Sequence, residues 1–276
     1  MSRRMIGLCA VVVAMLAAVV APSAASAWAP ASSASIHPGV QTVTDGGQCT
    51  SNFVFQDASN VYIGQAAHCS STGAQTDTDG CTSGSLPIGT PVDIDGASHP
   101  GTLVYNSWLT MQGKGETNPD TCAYNDLALV KIDPADVGNV NPSVPGFGGP
   151  TGVGTVGDLG STVYTYGNSS LRLGITKLSP KQGTVIQNEG NGWSHNVATV
   201  TPGIPGDSGS GFMNATGQAI GVLSTLQIAP LAGSNGVGDI GKEIAYMQAN
   251  SSFSGTNLVP GTQSFTPDLA GAIAGS

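Results

Sequence analysis

Three short segments of this chain carry side chains that could together perform acyl transfer. Ser208 lies in the glycine-rich stretch Gly206–Gly211, His68 is followed directly by a cysteine, and Asp126 leads into the apolar run Leu127–Val130. A serine hydroxyl is a weak nucleophile until an imidazole takes its proton, and the imidazole needs a carboxylate that fixes its tautomer. The three residue types in these settings therefore indicate hydrolysis through an acyl-enzyme.

Each of the three candidates also has an ordinary explanation. A lone histidine is usually a surface or satisfied core residue, an aspartate before a strand is often part of a turn, and a serine in a Gly-rich protein often lies in a loop. His68 differs because small residues precede it and a cysteine follows, so it can be fixed in place and still face a cleft. Asp126 differs because it leads directly into an apolar run. The residues with the ordinary settings are His37, His99, His195, Asp93, Asp95 and Asp133.

Two other classes of serine hydrolase fit the serine motif poorly. A lipase-type nucleophile elbow requires the pattern Gly-x-Ser-x-Gly, and Ser210 occupies its last position here. Esterases whose motif begins Gly-Asp-Ser usually carry it near the mature N-terminus, whereas Ser208 lies late in this chain.

The order of the three segments resembles the chymotrypsin-like serine peptidases. Ala66–Cys69 reads AAHC, Asn125–Val130 reads NDLALV and Gly206–Gly209 reads GDSG, each in the order of that family. Ile204 stands where the animal digestive members have a cysteine, and no Arg or Lys followed by Ile-Val-Gly-Gly precedes the first predicted barrel. Together with Gln48–Phe53, these differences favour the bacterial secreted branch.

The resemblance implies an all-β fold of two antiparallel six-stranded β-barrels with a short C-terminal helix, and an active site in the cleft between them. His68 would be the general base, Asp126 its orienting carboxylate and Ser208 the nucleophile. The amides of Gly206 and Ser208 would form the oxyanion hole. The implied substrate-binding residues are Pro202, Ser224, Thr225 and Leu226, with Ser224 near the Asp126 carboxylate.

The same resemblance gives an expectation for specificity at the substrate residue before the scissile bond, P1. Trypsin-like members carry an aspartate six residues before the nucleophile, and Pro202 holds that position here. Leu226 stands where large-pocket members have glycine, so it would narrow the pocket. We therefore expect small or medium apolar P1 side chains and poor cleavage after Arg or Lys.

Composition predicts an exported protein. Arg3 and Arg4 precede the apolar run Met5–Ala21, and Ala25–Ala27 has the small-x-small form of a signal peptidase site, so residues 1–27 are predicted to be a signal peptide. Cleavage would leave 276 − 27 = 249 residues with 8 − 2 = 6 basic and 17 acidic side chains, a net charge of 6 − 17 = −11. That charge argues against nucleic acid or anionic lipid as the main partner.

Four cysteines remain after the predicted cleavage, and an even count in an exported chain indicates two disulfides with three possible pairings. The spacing lacks the Cys-x-x-Cys pattern expected of the alternative, a zinc site. The resemblance pairs Cys49 with Cys69, the residue after the proposed base, and this leaves Cys81 with Cys122.

Short β-rich runs separated by Gly, Pro, Asn and Asp predict sandwiches or barrels. The predicted divisions are an N-terminal segment 28–48, a first barrel 49–143, a second barrel with its helix 144–250, and an adhering or mobile tail 251–276. The Pro/Gly-rich stretch Asn141–Gly154 would link the halves, and Gly241–Asn250 is the predicted helix. Examples of the predicted strands are Phe53–Phe55, Asn60–Gly64, Leu127–Ile132, Val163–Tyr166, Asn196–Val200 and Ala219–Ser224.

Asp207 adjoins the nucleophile and is expected to be buried, where a carboxylate needs a partner. Arg172 is the only arginine after the predicted leader. Bacterial relatives use an internal arginine in this way, so an Arg172–Asp207 ion pair is one hypothesis, and an exposed loop arginine is the other. The turn Asp77–Gly80 resembles part of a calcium loop but lacks the EF-hand spacing, so a solvated acidic turn and a different calcium site both stay open.

The sequence therefore predicts a secreted, monomeric serine endopeptidase that acts on peptides and needs no cofactor or metal. A secreted serine esterase and a catalytically silent binding or adhesion protein on the same fold are the alternatives.

Overall fold

The computed structural model describes residues 28–74, 77–227 and 231–276. The predicted signal peptide therefore lies outside the described residues. The described part contains fourteen strands and four α-helices. The strands are β1 Gln41–Thr44, β2 Gly47–Thr50, β3 Val54–Gln56, β4 Val61–Ala66, β5 Pro91–Ile94, β6 Gly101–Asn106, β7 Leu127–Lys131, β8 Thr162–Tyr166, β9 Pro180–Glu189, β10 Ser194–Thr199, β11 Gly211–Asn214, β12 Ala219–Leu226, β13 Asn235–Asp239 and β14 Asn257–Leu258. The helices are α1 Ser107–Lys114, α2 Pro119–Tyr124, α3 Ile240–Asn250 and α4 Leu269–Ala274.

The first barrel is built from an antiparallel sheet in the order β14-β3-β4-β7-β6-β5-β1-β2. Strands β2 and β3 are two parts of one bent strand, because the intervening Ser51–Phe53 continues the ladder: Ser51 N donates to Val40 O at 2.9 Å and Asn52 N to Gly64 O at 2.8 Å. The bend joins the two ends of the sheet. It therefore closes a barrel of six strands, with β14 added at an edge.

The second barrel is closed and has the order β10-β13-β12-β11-β8-β9. Alternating buried valines and isoleucines of these strands fill its interior, among them Val163, Val185, Val197 and Ile220. The predicted all-β fold of two antiparallel barrels with a C-terminal helix is thus confirmed.

The predicted C-terminal helix is α3, and it begins one residue earlier than expected. The Asp239 side chain caps it by accepting a hydrogen bond from Lys242 N at 2.9 Å. Its buried residues Ile240, Glu243, Ile244 and Met247 follow the spacing of one helix face. One of the four, Glu243, is acidic, and its side chain accepts a hydrogen bond from Asp126 N.

Helices α1 and α2 were not predicted from the sequence. The Asn106 side chain caps α1 by accepting from Trp108 N and Leu109 N. Asn118 caps α2 in the same way, and Pro119 follows it at the first helical position. An asparagine cap followed by proline is a signal for a helix start, so α2 could have been recognised.

The tail beyond Ser251 packs against both halves of the chain. Strand β14 pairs with β3, Phe253 contacts Tyr62 edge to face with ring centroids 5.7 Å apart, and Phe265 contacts Tyr164 in the same way at 5.5 Å. Of the two expectations for the tail, the structure therefore supports the adhering one. Strand β1 lies inside the predicted N-terminal segment 28–48, and the other domain boundaries stay a prediction.

None of the helices in the described ranges combines the length and the apolar character that a membrane span requires.

Candidate active site

His68 is fixed where the first barrel meets the cleft. Strand β4 ends at Ala66, and Ala67–Ser70 form a short 3₁₀ turn that carries the imidazole. The disulfide between Cys69 and Cys49 ties this turn to β2, and Ala67 N donates to Asp126 O at 2.8 Å. The side chain of His68 is 25% exposed, so a fixed backbone presents an accessible ring.

Asp126 is buried behind this ring at the start of β7. Its Oδ2 lies 2.7 Å from His68 Nδ1 and accepts a hydrogen bond from Ser224 Oγ at 2.6 Å, while its Oδ1 accepts from His68 N at 2.9 Å. Because an ionised carboxylate can only accept, Nδ1 must carry the proton. The other ring nitrogen, Nε2, is then free to accept a proton, and the expected contact of Ser224 with Asp126 is present.

The Asp126 carboxylate also sets the basicity of the ring. Burial alone would lower the pKa of His68, but the charge and hydrogen bond of Asp126 outweigh burial and raise that pKa above its ordinary value of 6.5.

Ser208 lies in a tight turn whose two glycines have positive φ angles, 95° for Gly206 and 88° for Gly209. A Cβ atom on Gly209 would lie 2.5 Å from Thr50 O and 2.9 Å from Ala66 N. Only glycine therefore lets this turn approach the first barrel so closely. Ser208 is partly exposed, and its carbonyl is held by Thr50 N at 2.8 Å.

Two peptide units in this turn have their carbonyls anchored away from the cleft. The Pro205 carbonyl accepts from Ser169 Oγ at 2.6 Å, and the Asp207 carbonyl accepts from Ser210 N at 3.1 Å. In a trans peptide the N–H points opposite to the C=O. The amides of Gly206 and Ser208 are thereby turned the other way, and neither donates to an acceptor among the described residues.

The Asp207 carboxylate lies beneath the turn and is fully buried. Its Oδ2 lies 2.5 Å from Arg172 Nη2 and 3.0 Å from Lys181 Nζ, and its Oδ1 accepts from Ser169 N at 3.1 Å. This distance confirms the predicted ion pair with Arg172. The arginine side chain is only 8% exposed, so it is not the exposed loop arginine of the other hypothesis. Burial alone would raise the pKa of Asp207, but the two cations outweigh it and hold that pKa below its ordinary value.

Lys181 is a second partner of Asp207 that the sequence analysis missed. It lies on β9, its side chain is 2% exposed, and burial lowers its pKa below the ordinary value. A single lysine among Pro180, Gln182 and Gly183 gives no local signal of burial. Only the closure of the second barrel brings β9 under the turn that carries Ser208.

One cleft between the barrels is lined by both His68 and Ser208. Between these two described side chains no hydrogen bond is formed in this structure. Catalytic hydrogen bonds are often long before substrate binds, so the shared cleft is the relevant observation.

The predicted substrate-binding residues divide into two groups. Ser224, Thr225 and Leu226 lie at the end of β12 and line the cleft, and Leu226 is 55% exposed there. Pro202 is exposed and does not line the described part of the cleft; its carbonyl accepts from Arg172 Nη2 at 3.2 Å. The residues that line this end of the cleft beside them are Gly203, Ile204, Pro205, Leu223 and Asn235.

The cysteine clusters are not candidate metal centres. The sulfurs of Cys49 and Cys69 are joined in one disulfide and those of Cys81 and Cys122 in the other, as the resemblance implies. A disulfide offers no thiolate, so these sulfurs cannot ligate zinc.

The acidic turn beside the cleft uses its carboxylates on its own backbone. Asp77 accepts from Ala74 N at 3.1 Å and Asp79 from Cys81 N at 2.9 Å. The Asp79 bond is that of an ordinary Asx turn, and the Asp77 bond closes the preceding loop.

No family model matches the sequence, and no curated protein matches it. Solved structures do match. Thermobifida fusca protease A superposes with a TM-score of 0.54 at 20% identity, over 82% of this chain and 99% of that one. A glutamic-acid-specific serine protease, described as using a histidine triad in substrate binding, superposes with a TM-score of 0.50 at 16% identity, over 81% of this chain and all of its own.

The chain has the chymotrypsin-like fold. In this chymotrypsin-like fold, His68 and Asp126 come from the first barrel and Ser208 from the second, and all three lie at the junction of the barrels. At 16–20% identity the likeness is one of fold. The roles of individual side chains therefore rest on the geometry described above.

Proposed function

We propose that this protein is an exported serine endopeptidase with Ser208 as nucleophile, His68 as general base and Asp126 as the carboxylate that orients the base. The observation that carries the proposal is the Asp126–His68 hydrogen bond of 2.7 Å in the cleft that Ser208 also lines. The two protease structures with the same fold support it, and the two disulfides support export.

The proposed reaction follows from the positions of the donors and acceptors. His68 Nε2 takes the proton from Ser208 Oγ as that oxygen attacks the substrate carbonyl carbon. The amides of Gly206 and Ser208 stabilise the negative oxygen that forms. The imidazolium then protonates the leaving amine, which gives the acyl-enzyme, and a water molecule activated by His68 hydrolyses it.

We also propose that a monomer cleaves peptides after small or medium apolar P1 residues. Among the described cleft residues contributed by the second barrel, none carries a charge, which supports poor cleavage after Arg, Lys and Glu. Leu226, which lines this cleft, would narrow the space for the P1 side chain.

A fluorophosphonate probe followed by an unbiased peptide library tests activity and specificity together. We expect covalent labelling of one residue, Ser208, and cleavage after small or medium apolar P1 residues. Ser208→Ala should abolish labelling, and the exposed Ser59→Ala variant, on a turn of the first barrel, should keep it. Labelling with ester hydrolysis but no peptide cleavage would identify an esterase instead, and the absence of labelling would support a binding protein. Preferential cleavage after Arg, Lys or Glu would overturn the specificity proposal.

The pH dependence of kcat/KM gives a second prediction. His68 must be neutral to accept the serine proton, so activity should fall as the pH drops through the raised pKa of His68, above 6.5. Asp126→Asn removes the charge that raises this pKa, so the acidic limb should move to lower pH while turnover drops by on the order of 10⁴. An acidic limb that stays in place in Asp126→Asn would contradict the assignment of His68 as base.

A further inference from the structure

Glu243 is a buried acid on helix α3 that the reaction above does not use. Its side chain is fully buried, and its Oε1 accepts a hydrogen bond from the backbone N of Asp126 at 2.9 Å. The bond connects the C-terminal helix with the first barrel, directly at the proposed catalytic aspartate.

The remaining polar atom of this side chain is unpaired. Glu243 Oε2 has no hydrogen-bond partner, and no cation lies within ion-pair distance of the carboxyl group among the described residues. A buried, unpaired negative charge costs several kcal/mol. The surroundings therefore favour the neutral acid.

The ionisable groups around Glu243 point the same way. Burial raises the pKa of Glu243 well above its ordinary value, and the negative charges of Asp126 and Asp239 add to that effect. Tyr105, on β6, is the remaining ionisable group near it; burial raises the pKa of that phenol, so it adds no charge beside Glu243. The hydrogen bond from Asp126 N is the only one of these influences that favours the carboxylate.

The strand beside α3 leaves room for this acid. A Cβ atom on Gly238 would lie 2.6 Å from Glu243 Oε1 and 3.0 Å from Tyr124 O. A side chain at position 238 would therefore displace either the acid or the segment that leads to Asp126.

We propose, on the basis of the proposed function, that Glu243 is a positioning residue that acts as an uncharged acid. Its Oε1 fixes the Asp126 backbone, whose carbonyl is held in turn by Ala67 N at 2.8 Å. Asp126 is thereby fixed on both sides of its Cα atom. Because Glu243 carries no charge, Asp126 is the one carboxylate that acts on His68.

Carbon-13 NMR tests the charge of Glu243 without any need for activity. The chain has three glutamates, Glu116, Glu189 and Glu243, so selective labelling of the glutamate carboxyl carbon gives few signals, and Glu243→Gln assigns the one of interest. We expect that signal to keep the shift of a protonated acid through neutral pH. A carboxylate shift at pH 7 would overturn the proposal.

Two substitutions separate charge from positioning. Glu243→Gln keeps the accepting oxygen and the neutral state, so kcat should stay within about threefold and the acidic limb should not move. If Glu243 were ionised, the same change would remove a negative charge near His68 and shift that limb to lower pH. Glu243→Ala removes the acceptor, so kcat should fall on the order of 10- to 100-fold with little change in KM.

Met247→Ala is the matched control, because Met247 is fully buried on the same face of α3 and, among the described residues, makes no hydrogen bond to His68, Asp126 or Ser208. It should lower the unfolding temperature and leave kcat nearly unchanged. An equal loss of kcat in Met247→Ala and Glu243→Ala would show a structural role only and overturn the positioning role.

The proton NMR signal of His68 Nδ1–H reports the Asp126 contact in all variants. We expect it unchanged in Glu243→Gln and altered in Glu243→Ala even if the protein cleaves no peptide, and an unaltered signal in Glu243→Ala would overturn the positioning role.

Discussion

Ser208→Ala should lower kcat by on the order of 10⁴ to 10⁶ and leave the unfolding temperature nearly unchanged. The large effect follows because no acyl-enzyme can form without the hydroxyl, while the oxyanion amides of Gly206 and Ser208 stay in place. The small effect on stability follows because Ser208 Oγ makes no hydrogen bond within the described structure. Steady-state kinetics on the preferred peptide and a thermal melt measure both quantities.

Ser59→Ala is again the control, because it removes an exposed serine hydroxyl elsewhere on the first barrel. It should retain full turnover. If Ser208→Ala kept more than a few per cent of the wild-type kcat, Ser208 would not be the nucleophile and the proposed mechanism would be wrong.

The three proposed catalytic residues could be found in the sequence because their chemistry imposes recognisable local settings. Glycines must flank Ser208 since a Cβ atom on Gly209 would collide with Thr50 O. Asp126 must precede an apolar strand because its carboxylate is buried, and Cys69 must follow His68 because the disulfide fixes its turn. Each requirement concerns neighbours in the chain, so each leaves a mark that the sequence alone can show.

The supporting residues leave no such mark. Lys181 and Glu243 contact Asp207 and Asp126 only after distant strands and helices pack, and their sequence neighbours are ordinary. The contact that holds the Pro205 carbonyl, in the turn that carries Ser208, also leaves no mark in the sequence, since Ser169 Oγ donates to Pro205 O from another loop. Secondary structure shows the same limit. Runs rich in Val, Ile and Tyr signal strands, but β13, Asn235–Asp239, gives no such signal because two of its five residues are glycines in close contact with neighbouring elements.

Pro202 shows the opposite case. It occupies the position in the sequence that the resemblance assigns to the P1 pocket, but it does not line the described part of the cleft. It precedes Ser208 by six residues, as the resemblance requires, yet the structure leaves it exposed with its carbonyl on Arg172. Counting residues from a motif locates a position along the chain. It does not fix the direction of a side chain in a loop.

Asp207→Asn should have the second large effect, because it removes the one negative charge that two buried cations share. Arg172 and Lys181 would be left unpaired beneath the turn that carries Ser208. Removing one partner of a buried ion pair costs about 3–5 kcal/mol of unfolding free energy. Because Asp207 also joins the two peptide units of the oxyanion hole, kcat should fall by on the order of 10²- to 10³-fold, the loss expected when one oxyanion donor is misplaced. Denaturant unfolding and peptidase kinetics measure the two effects.

The pH dependence of stability gives an independent check on Asp207. Its pKa is lower in the folded protein than the ordinary 3.8, so its contribution to stability is present above that ordinary value and is lost as the pH falls through the lower folded-state value. Asp207→Asn should therefore reduce the loss of stability in acid as well as the stability at neutral pH. A variant that keeps the acid dependence of the wild type would show that other carboxylates cause it.

Lys181→Met supplies the sharpest control, because its effect should change sign with its partner. In the wild type it removes one of two cations from Asp207 and should destabilise the fold, although Arg172 still pairs with the carboxylate at 2.5 Å. In the Asp207→Asn background it removes a buried cation that has no partner, so it should raise the free energy of unfolding. An equal change in the free energy of unfolding in both backgrounds would mean that Lys181 and Asp207 are not coupled. We attribute the expected loss of kcat in Asp207→Asn to unpaired charge beneath the turn that carries Ser208. The double variant, Lys181→Met with Asp207→Asn, has less of that charge and should therefore recover part of the lost kcat.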